Sequence, residues 1–247
     1  ITETASLFGG AAAEGALGDF KLYNNRAQFI IQSDRDSSYY MKEGCGLLDA
    51  DIIRRGQMGR DIIDEYSPMI GLGNVLDCDS IEVVADGSSG SAHIQVKGHV
   101  TPFSLLEGAL ENWDLVQEVD VEFTVDYRLA PNSSLLEIQT TLDWNDDNNG
   151  YVQMANVMLL GKEVLQNWNP GGGFDGSTNN NWMGVIGKQN EIALALLPED
   201  IFTASSLQSL LESATPAMSS FSDNLALESG DQVSFIQYIG VGSDLAE

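Results

Sequence analysis

Residues 119–143 constrain the fold more than any other stretch. Val121, Phe123, Val125 and Tyr127 alternate with Glu122, Thr124, Asp126 and Arg128. Side chains two apart share one face of a strand, so this pattern buries one face of an extended chain and wets the other. Pro131-Asn-Ser-Ser134 turns the chain, and Leu136, Ile138 and Leu142 return on one side. Two long alternating strands around a short turn predict a β-hairpin.

The same signal recurs nearby. Segments 81–85 and 92–100 read as strands around a turn at 86–90. Ile94, Val96 and Val100 share one face of the second, and His93, Gln95, Lys97 and His99 share the other. Gly98 is a candidate bulge position. Shorter strands are expected at 20–24, 27–32, 46–51, 152–160, 184–187, 191–197 and 233–239. Residues 51–80 show no clear period. Short helices are expected at 103–112 and at 202–213, the latter from Leu207, Leu210 and Leu211. The first 18 residues are rich in Ala and Gly without alternation and read as a flexible arm, leaving 19–247 as a single domain. The expected fold is all-β with minor helix: a large two-sheet antiparallel β-sandwich.

Charge narrows the partners. The chain has 11 Lys+Arg against 37 Asp+Glu, a formal net charge of −26. Such a surface repels phosphate backbones and anionic lipids, which argues against nucleic acid and membrane surfaces. It favours cations and solubility in salt. No apolar run approaches the roughly 20 residues of a membrane span. Asp49, Asp51, Asp61, Asp64 and Glu65 lie near Arg54, Arg55 and Arg60 and should form local ion pairs. The chain starts Ile-Thr-Glu-Thr and stops after Ala-Glu247, which reads as a processed or partial chain. An extracellular or cell-surface location is expected. There a disulfide between Cys45 and Cys78, the two cysteines, is favoured over buried thiols.

Two segments carry candidate sites. In 143–150, Asn145, Asp147, Asn149 and Gly150 fit the first half of an EF-hand-like loop, whose alternation aims oxygens at one centre. Asp143, Asp146 or a distant carboxylate would have to complete a Ca²⁺ site, because Asn156 stands where the closing Glu should be. The competing reading is a polar turn. In the Gly/Asn-rich loop 167–182, Trp168 and Trp182 could stack on a sugar while Asn169 and Asp175 bond its hydroxyls. The alternative is that these rings cap the core. Among 37 acids the sequence selects no pair for glycoside hydrolysis, and Glu137 and Asp126, facing outward on the long hairpin, are the acid-pair guess. His93 and His99, about 20 Å apart on a straight strand, cannot share a metal and should face solvent. No nucleophile elbow, phosphate-binding loop or zinc-binding helix motif is present. Asn132-Ser-Ser134 has the form of a glycosylation sequon.

Gly18-Asp-Phe-Lys-Leu-Tyr-Asn-Asn-Arg-Ala-Gln-Phe-Ile-Ile-Gln32, Gly46-Leu-Leu-Asp-Ala-Asp51 and the 126–142 hairpin resemble a domain near the N-terminus of large secreted proteins of myxobacteria and related marine bacteria. The strand pattern is also similar to the galactose-mutarotase-like supersandwich. The resemblance spans 19–142 and the final strand, and its motifs are structural. It implies a fold associated with carbohydrate enzymes and their accessory domains. The mutarotase pattern of histidines with an acid does not map onto His93 and His99. The leading expectation is a non-catalytic extracellular module for surface assembly or glycan contact, with Ca²⁺ a possible stabiliser. Its partners would be glycans or other protein subunits. The alternatives are a carbohydrate-active enzyme or accessory domain, and the structural N-terminal domain of a secreted metallohydrolase.

Overall fold

A computed structural model of the chain describes residues 1–10, 12–37, 42–71, 73–103, 119–161, 165–169, 173–174, 182–187, 192–198, 202–206 and 217–243. The strands are β1 (Phe20–Tyr23), β2 (Ala27–Ile31), β3 (Leu47–Ile52), β4 (Ile63–Ile70), β5 (Asn74–Asp86), β6 (Ala92–Pro102), β7 (Val121–Leu129), β8 (Leu135–Trp144) and β9 (Gly150–Val152). They continue as β10 (Met154–Leu160), β11 (Leu165–Asn169), β12 (Gly173–Phe174), β13 (Met183–Gly187), β14 (Ile192–Pro198), β15 (Phe202–Ser206), β16 (Ala217–Ser222), β17 (Leu225–Leu227) and β18 (Gln232–Gly242). One antiparallel ladder runs β1-β2-β3-β4-β5-β6-β7-β8-β18-β14-β13-β11-β12, and β10 joins β4 to β16. The two layers of the sandwich are thus stretches of one ladder folded over, while β9 and β17 pair with each other in a separate two-stranded sheet.

The expected hairpin is β7–β8, in register from Val121↔Trp144 to Leu129↔Leu136. Its inward residues join Phe29, Tyr66, Val96, Val185 and Ile239 in the main apolar core. A smaller cluster of Met69, Val75, Phe103, Ala155, Val157, Leu159 and Ala217 lies against the other faces of β4 and β10. Every residue of β4 and of β10 is therefore buried. This explains why 51–80 shows no alternation although it contains β4 and the start of β5: a strand covered on both faces has no polar side to display.

Two expectations need correcting. Phe202–Ser206 is a strand, paired with β16, not the start of a helix. Leu207, Leu210 and Leu211 lie outside the described residues, as does all of the expected 103–112 helix except Phe103, which packs into the smaller cluster. Among the described residues of the first 18 there is no strand, but the segment lies against the sheet. Phe8 and Ala12 are buried, and Gly9 bridges to Arg60.

Gly98 sits where β5 shifts register between Cys78 and Ser80. A Cβ at Gly98 would run into the Asp77 carbonyl, so the glycine lets the bulged strand close up. Next to this bulge Cys78 is bonded to Cys45, with Cα atoms 5.9 Å apart. The cross-link ties the loop before β3 to β5 and closes a 33-residue separation.

Candidate functional site: one face of the sheet

Directly paired residues in an antiparallel ladder point to the same side. The register therefore builds a row across the outer face of the sheet. His93 pairs with Arg128, Arg128 with Glu137, Glu137 with Tyr238, and Tyr238 with Leu197. Trp182 extends the row, since it precedes Met183, the partner of Leu196. At about 4.8 Å per strand the row is about 24 Å long.

Its two ends differ in chemistry. At the polar end, Arg128 contacts Asp126 Oδ2 at 3.1 Å and Glu137 Oε1 at 3.4 Å, and donates to Gln139 Oε1 at 2.9 Å. Asp126 Oδ1 accepts from Gln95 Nε2 at 2.9 Å and lies 2.6 Å from His93 Nε2. Asp126 is almost fully buried, whereas Arg128 and Glu137 keep about a third of their side chains exposed (31% and 34%). At the aromatic end, the rings of Trp168 and Trp182 lie 4.7 Å apart at a 34° tilt. Trp168 pairs with Gly184, where the missing side chain leaves room for the indole. Both tryptophans are half-buried.

The sequence-derived candidates are thus partly united. Trp168, Trp182, Asp126 and Glu137, proposed for separate reasons, share this face. The Asn169 side chain and Asp175 lie outside the described residues. Tyr238, Gln139, Arg128 and Gln95 were missed, because only the register across β6, β7, β8 and β18 puts them in line. His93 corrects the solvent-facing expectation: it packs against Asp126, although its face was assigned correctly. His99 is exposed, near Asp77 and Asp79 at 3.7 and 3.2 Å.

The 143–150 loop lies at the far end of β8. Asp143 Oδ1 accepts from Gln232 Nε2 at 2.6 Å, and Asp146 Oδ1 accepts the Asn148 amide at 2.8 Å. Trp144 Nε1 donates to the Asn148 carbonyl at 3.0 Å. Asn145, Asp147 and Asn149 point to solvent. Asn156 lies inside the core on β10 and bonds Tyr66, so it takes no part in this loop. Among the described residues no three His, Cys, Asp or Glu side chains converge as a metal-binding group. A cation held only by the folded loop would raise the melting temperature in millimolar calcium; a melting temperature that does not move assigns the loop to turn chemistry alone.

Two buried polar groups were not legible in the sequence. Tyr66 donates to Asn156 Oδ1 at 2.9 Å, Asn156 donates to Ser220 at 3.2 Å, and Gln237 donates to the Tyr66 hydroxyl. Burial pushes the Tyr66 pKa up, which keeps its hydroxyl a donor. The pocket beside Tyr66 is only about 10 Å³, room for one water at most. This network ties β4, β10, β16 and β18 together. The second group is acidic. Asp49, Asp51, Asp61, Asp64 and Glu65 are all buried, and of the expected local ion pairs Asp51–Arg54 forms at 2.8 Å. Asp49 accepts the Glu14 and Gly15 amides, each at 3.0 Å. Burial raises the Asp49 pKa to about 6. Burial, then the charges of Glu65, Asp64 and Asp49, raise that of Glu14 to about 8.

No protein-family model matches the chain, and no curated protein matches it. Solved structures do. The Slr1438 protein of Synechocystis sp. PCC 6803 superposes with a TM-score of 0.58 at 9% identity, covering 94% of this chain and 98% of that one. A galactose mutarotase related enzyme of Lactobacillus acidophilus gives 0.53 at 11%, covering 91% and 97%. A galactose mutarotase-like protein of Clostridium acetobutylicum gives 0.55 at 7%, covering 90% and 94%. At such identities the likeness defines the fold alone. The chain has a galactose-mutarotase-like β-sandwich fold.

Proposed function

We propose that this protein is a non-catalytic, extracellular glycan-binding module whose binding face is the row from His93 to Trp182. The observation that carries the reading is the junction of two chemistries on one face. Trp168 and Trp182 offer aromatic surface for a sugar ring, and Glu137, Arg128 and Gln139 offer exposed hydrogen-bonding groups in line with it. Sugar recognition needs both, because a pyranose has an apolar face and a polar rim. The Cys45–Cys78 bond and the −26 charge support an exported protein. That charge also favours neutral glycans over sulfated or uronic ones. Subunits of a surface assembly are the other partners this location allows.

The non-catalytic part rests on occupancy. Asp126 and Glu137 contact the same guanidinium, and Asp126 is also engaged by His93 and Gln95. A general acid or nucleophile needs a lone pair or proton aimed at substrate; here both Asp126 oxygens are engaged within the protein, and the Glu137 carboxylate is held as the ion-pair partner of Arg128. The competing reading is a carbohydrate-active enzyme, favoured by the His93–Asp126 contact on the same face.

A glycan array separates these. The proposal expects retention of neutral glycans, little retention of sulfated ones, and loss of at least about tenfold in affinity for Trp168→Ala or Trp182→Ala, as for other buried aromatic anchors. Turnover of a bound glycan that is abolished by His93→Ala would replace the module with an enzyme.

A further inference from the structure

We propose that the pocket beside Trp182 receives a compact apolar substituent, so that the ligand is a neutral glycan carrying a group of about benzene size. This rests on the glycan reading and specifies its substrate class.

The pocket is a product of register. Ala193 pairs with Gly242 and Ala195 with Gly240, while Gly240 also pairs with Leu135. Small residues at facing positions leave a depression in the sheet. A Cβ placed on Gly240 would meet Leu135 Cδ2 at 2.9 Å, Leu197 Cδ1 at 3.6 Å and the Ala195 Cβ at 3.8 Å. These side chains therefore surround the space above Gly240. Trp182 and Leu135 border it, and Leu135 is 40% exposed, so the opening faces solvent.

Size and chemistry set what fits. The volume is about 170 Å³. Benzene fits an enclosed apolar cavity of about 150 Å³, and this solvent-open depression is of similar volume. A bare sugar hydroxyl placed there would give up water for few partners, because the lining is mostly apolar, with Ser134 and the Trp182 indole its polar side chains. An aryl or branched acyl group would instead exchange water for contact on several sides. Leu197 and Tyr238 lead from the pocket into the polar row. A sugar seated over that row can thus place its substituent in the pocket.

The test compares matched methyl, phenyl and isovaleryl-substituted glycosides of glucose, galactose and mannose by calorimetric titration. One substituted form should bind about tenfold or more tighter than its methyl partner, as burial of a ring-sized apolar group implies; which form gains identifies an aryl or an acyl source. Ala195→Leu fills the pocket and should erase that gain while leaving methyl-glycoside affinity in place. Gly240→Ala is a second variant whose new methyl crowds only the mobile end of Leu135, at 2.9 Å, and meets Leu197 and Ala195 at ordinary contact distance. Equal affinities for all forms in the unmodified protein would overturn the inference and leave the glycan reading standing. A gain that survives both substitutions would overturn it too. Binding of no glycoside at all would remove both.

Discussion

Replacing Cys45 and Cys78 together by serine should lower stability by about 3–4 kcal/mol, on the loop-entropy estimate for a closure of this length. For a chain of this size that is a fall of about 10 °C in melting temperature. The expectation has two parts. The cross-link removes freedom from the unfolded chain, because residues 45 and 78 are 33 apart in sequence. Both cysteines are also buried against the main core, so serine would put hydroxyls where sulfur now packs. Dithiothreitol should reproduce most of the fall in the unmodified protein and have little effect on the double variant. A melting temperature indifferent to both changes would remove the bond from the account.

Stability should also fall as pH rises from about 4 towards 9, against the usual course for an acidic protein. The unfolded chain releases its carboxyl protons near pH 4. In the folded chain Asp49 keeps its proton until about pH 6 and Glu14 until about pH 8, since burial disfavours their charged forms. A group with a raised folded pKa stabilises fully below its unfolded pKa, and that contribution is lost as pH climbs through the folded value. For Asp49 alone the loss is of the order of 3 kcal/mol, from the unit conversion of its shift. Glu14 adds in the same direction, with a smaller weight because it is only half buried. Asp61 contributes likewise, its pKa pushed up by burial and by Asp49. Asp19 runs oppositely: bonds from Arg35, Ser33 and Ala16 outweigh its burial and lower its pKa. Its contribution is present above the unfolded value and lost as pH falls through the lowered one. The stability maximum should therefore lie near pH 4–5. Asp49→Asn would forfeit an amide bond, since Asp49 receives both the Glu14 and Gly15 N–H groups. It should nevertheless flatten the slope between pH 4 and 6. Chemical denaturation across pH reads this slope, and one that rises towards pH 8 would contradict the buried placement of these acids.

How much of this the sequence disclosed depended on whether a strand has one wet face. β7 and β8 were legible because Val121, Phe123 and Val125 alternate with Glu122, Thr124 and Asp126. β4 and β10 were obscured because both of their faces are covered. Ser205 and Ser206 belong to a strand, but the leucines that follow set the apparent period. The acidic segment was legible for the Asp51–Arg54 pair but not for its burial. Arg54 and Arg60 lie close in sequence to Asp51, Asp61 and Asp64, yet burial there depends on the N-terminal arm folding over β3, which neither composition nor period encodes. The candidate face was legible in pieces. Trp168 and Trp182 stand out as large aromatics among Gly and Asn, and Asp126 and Glu137 by their outward position. Their alignment needs β18, from the end of the chain, to slot between β8 and β14. The pocket is still less visible, since Ala195 and Gly240 acquire meaning only by facing each other.

The most direct test of the binding face is the dependence of affinity on glycan length. A row of about 24 Å, at the interstrand spacing of the sheet, is long enough to engage several rings of an extended chain, and a single ring fills only part of it. Titrating neutral oligosaccharides of increasing length should show affinity climbing until the chain spans the row. Trp168→Ala with Trp182→Ala should abolish binding at every length, and Glu137→Ala should weaken only the longer chains. Affinity independent of length, or binding unchanged in the double tryptophan variant, would contradict the account.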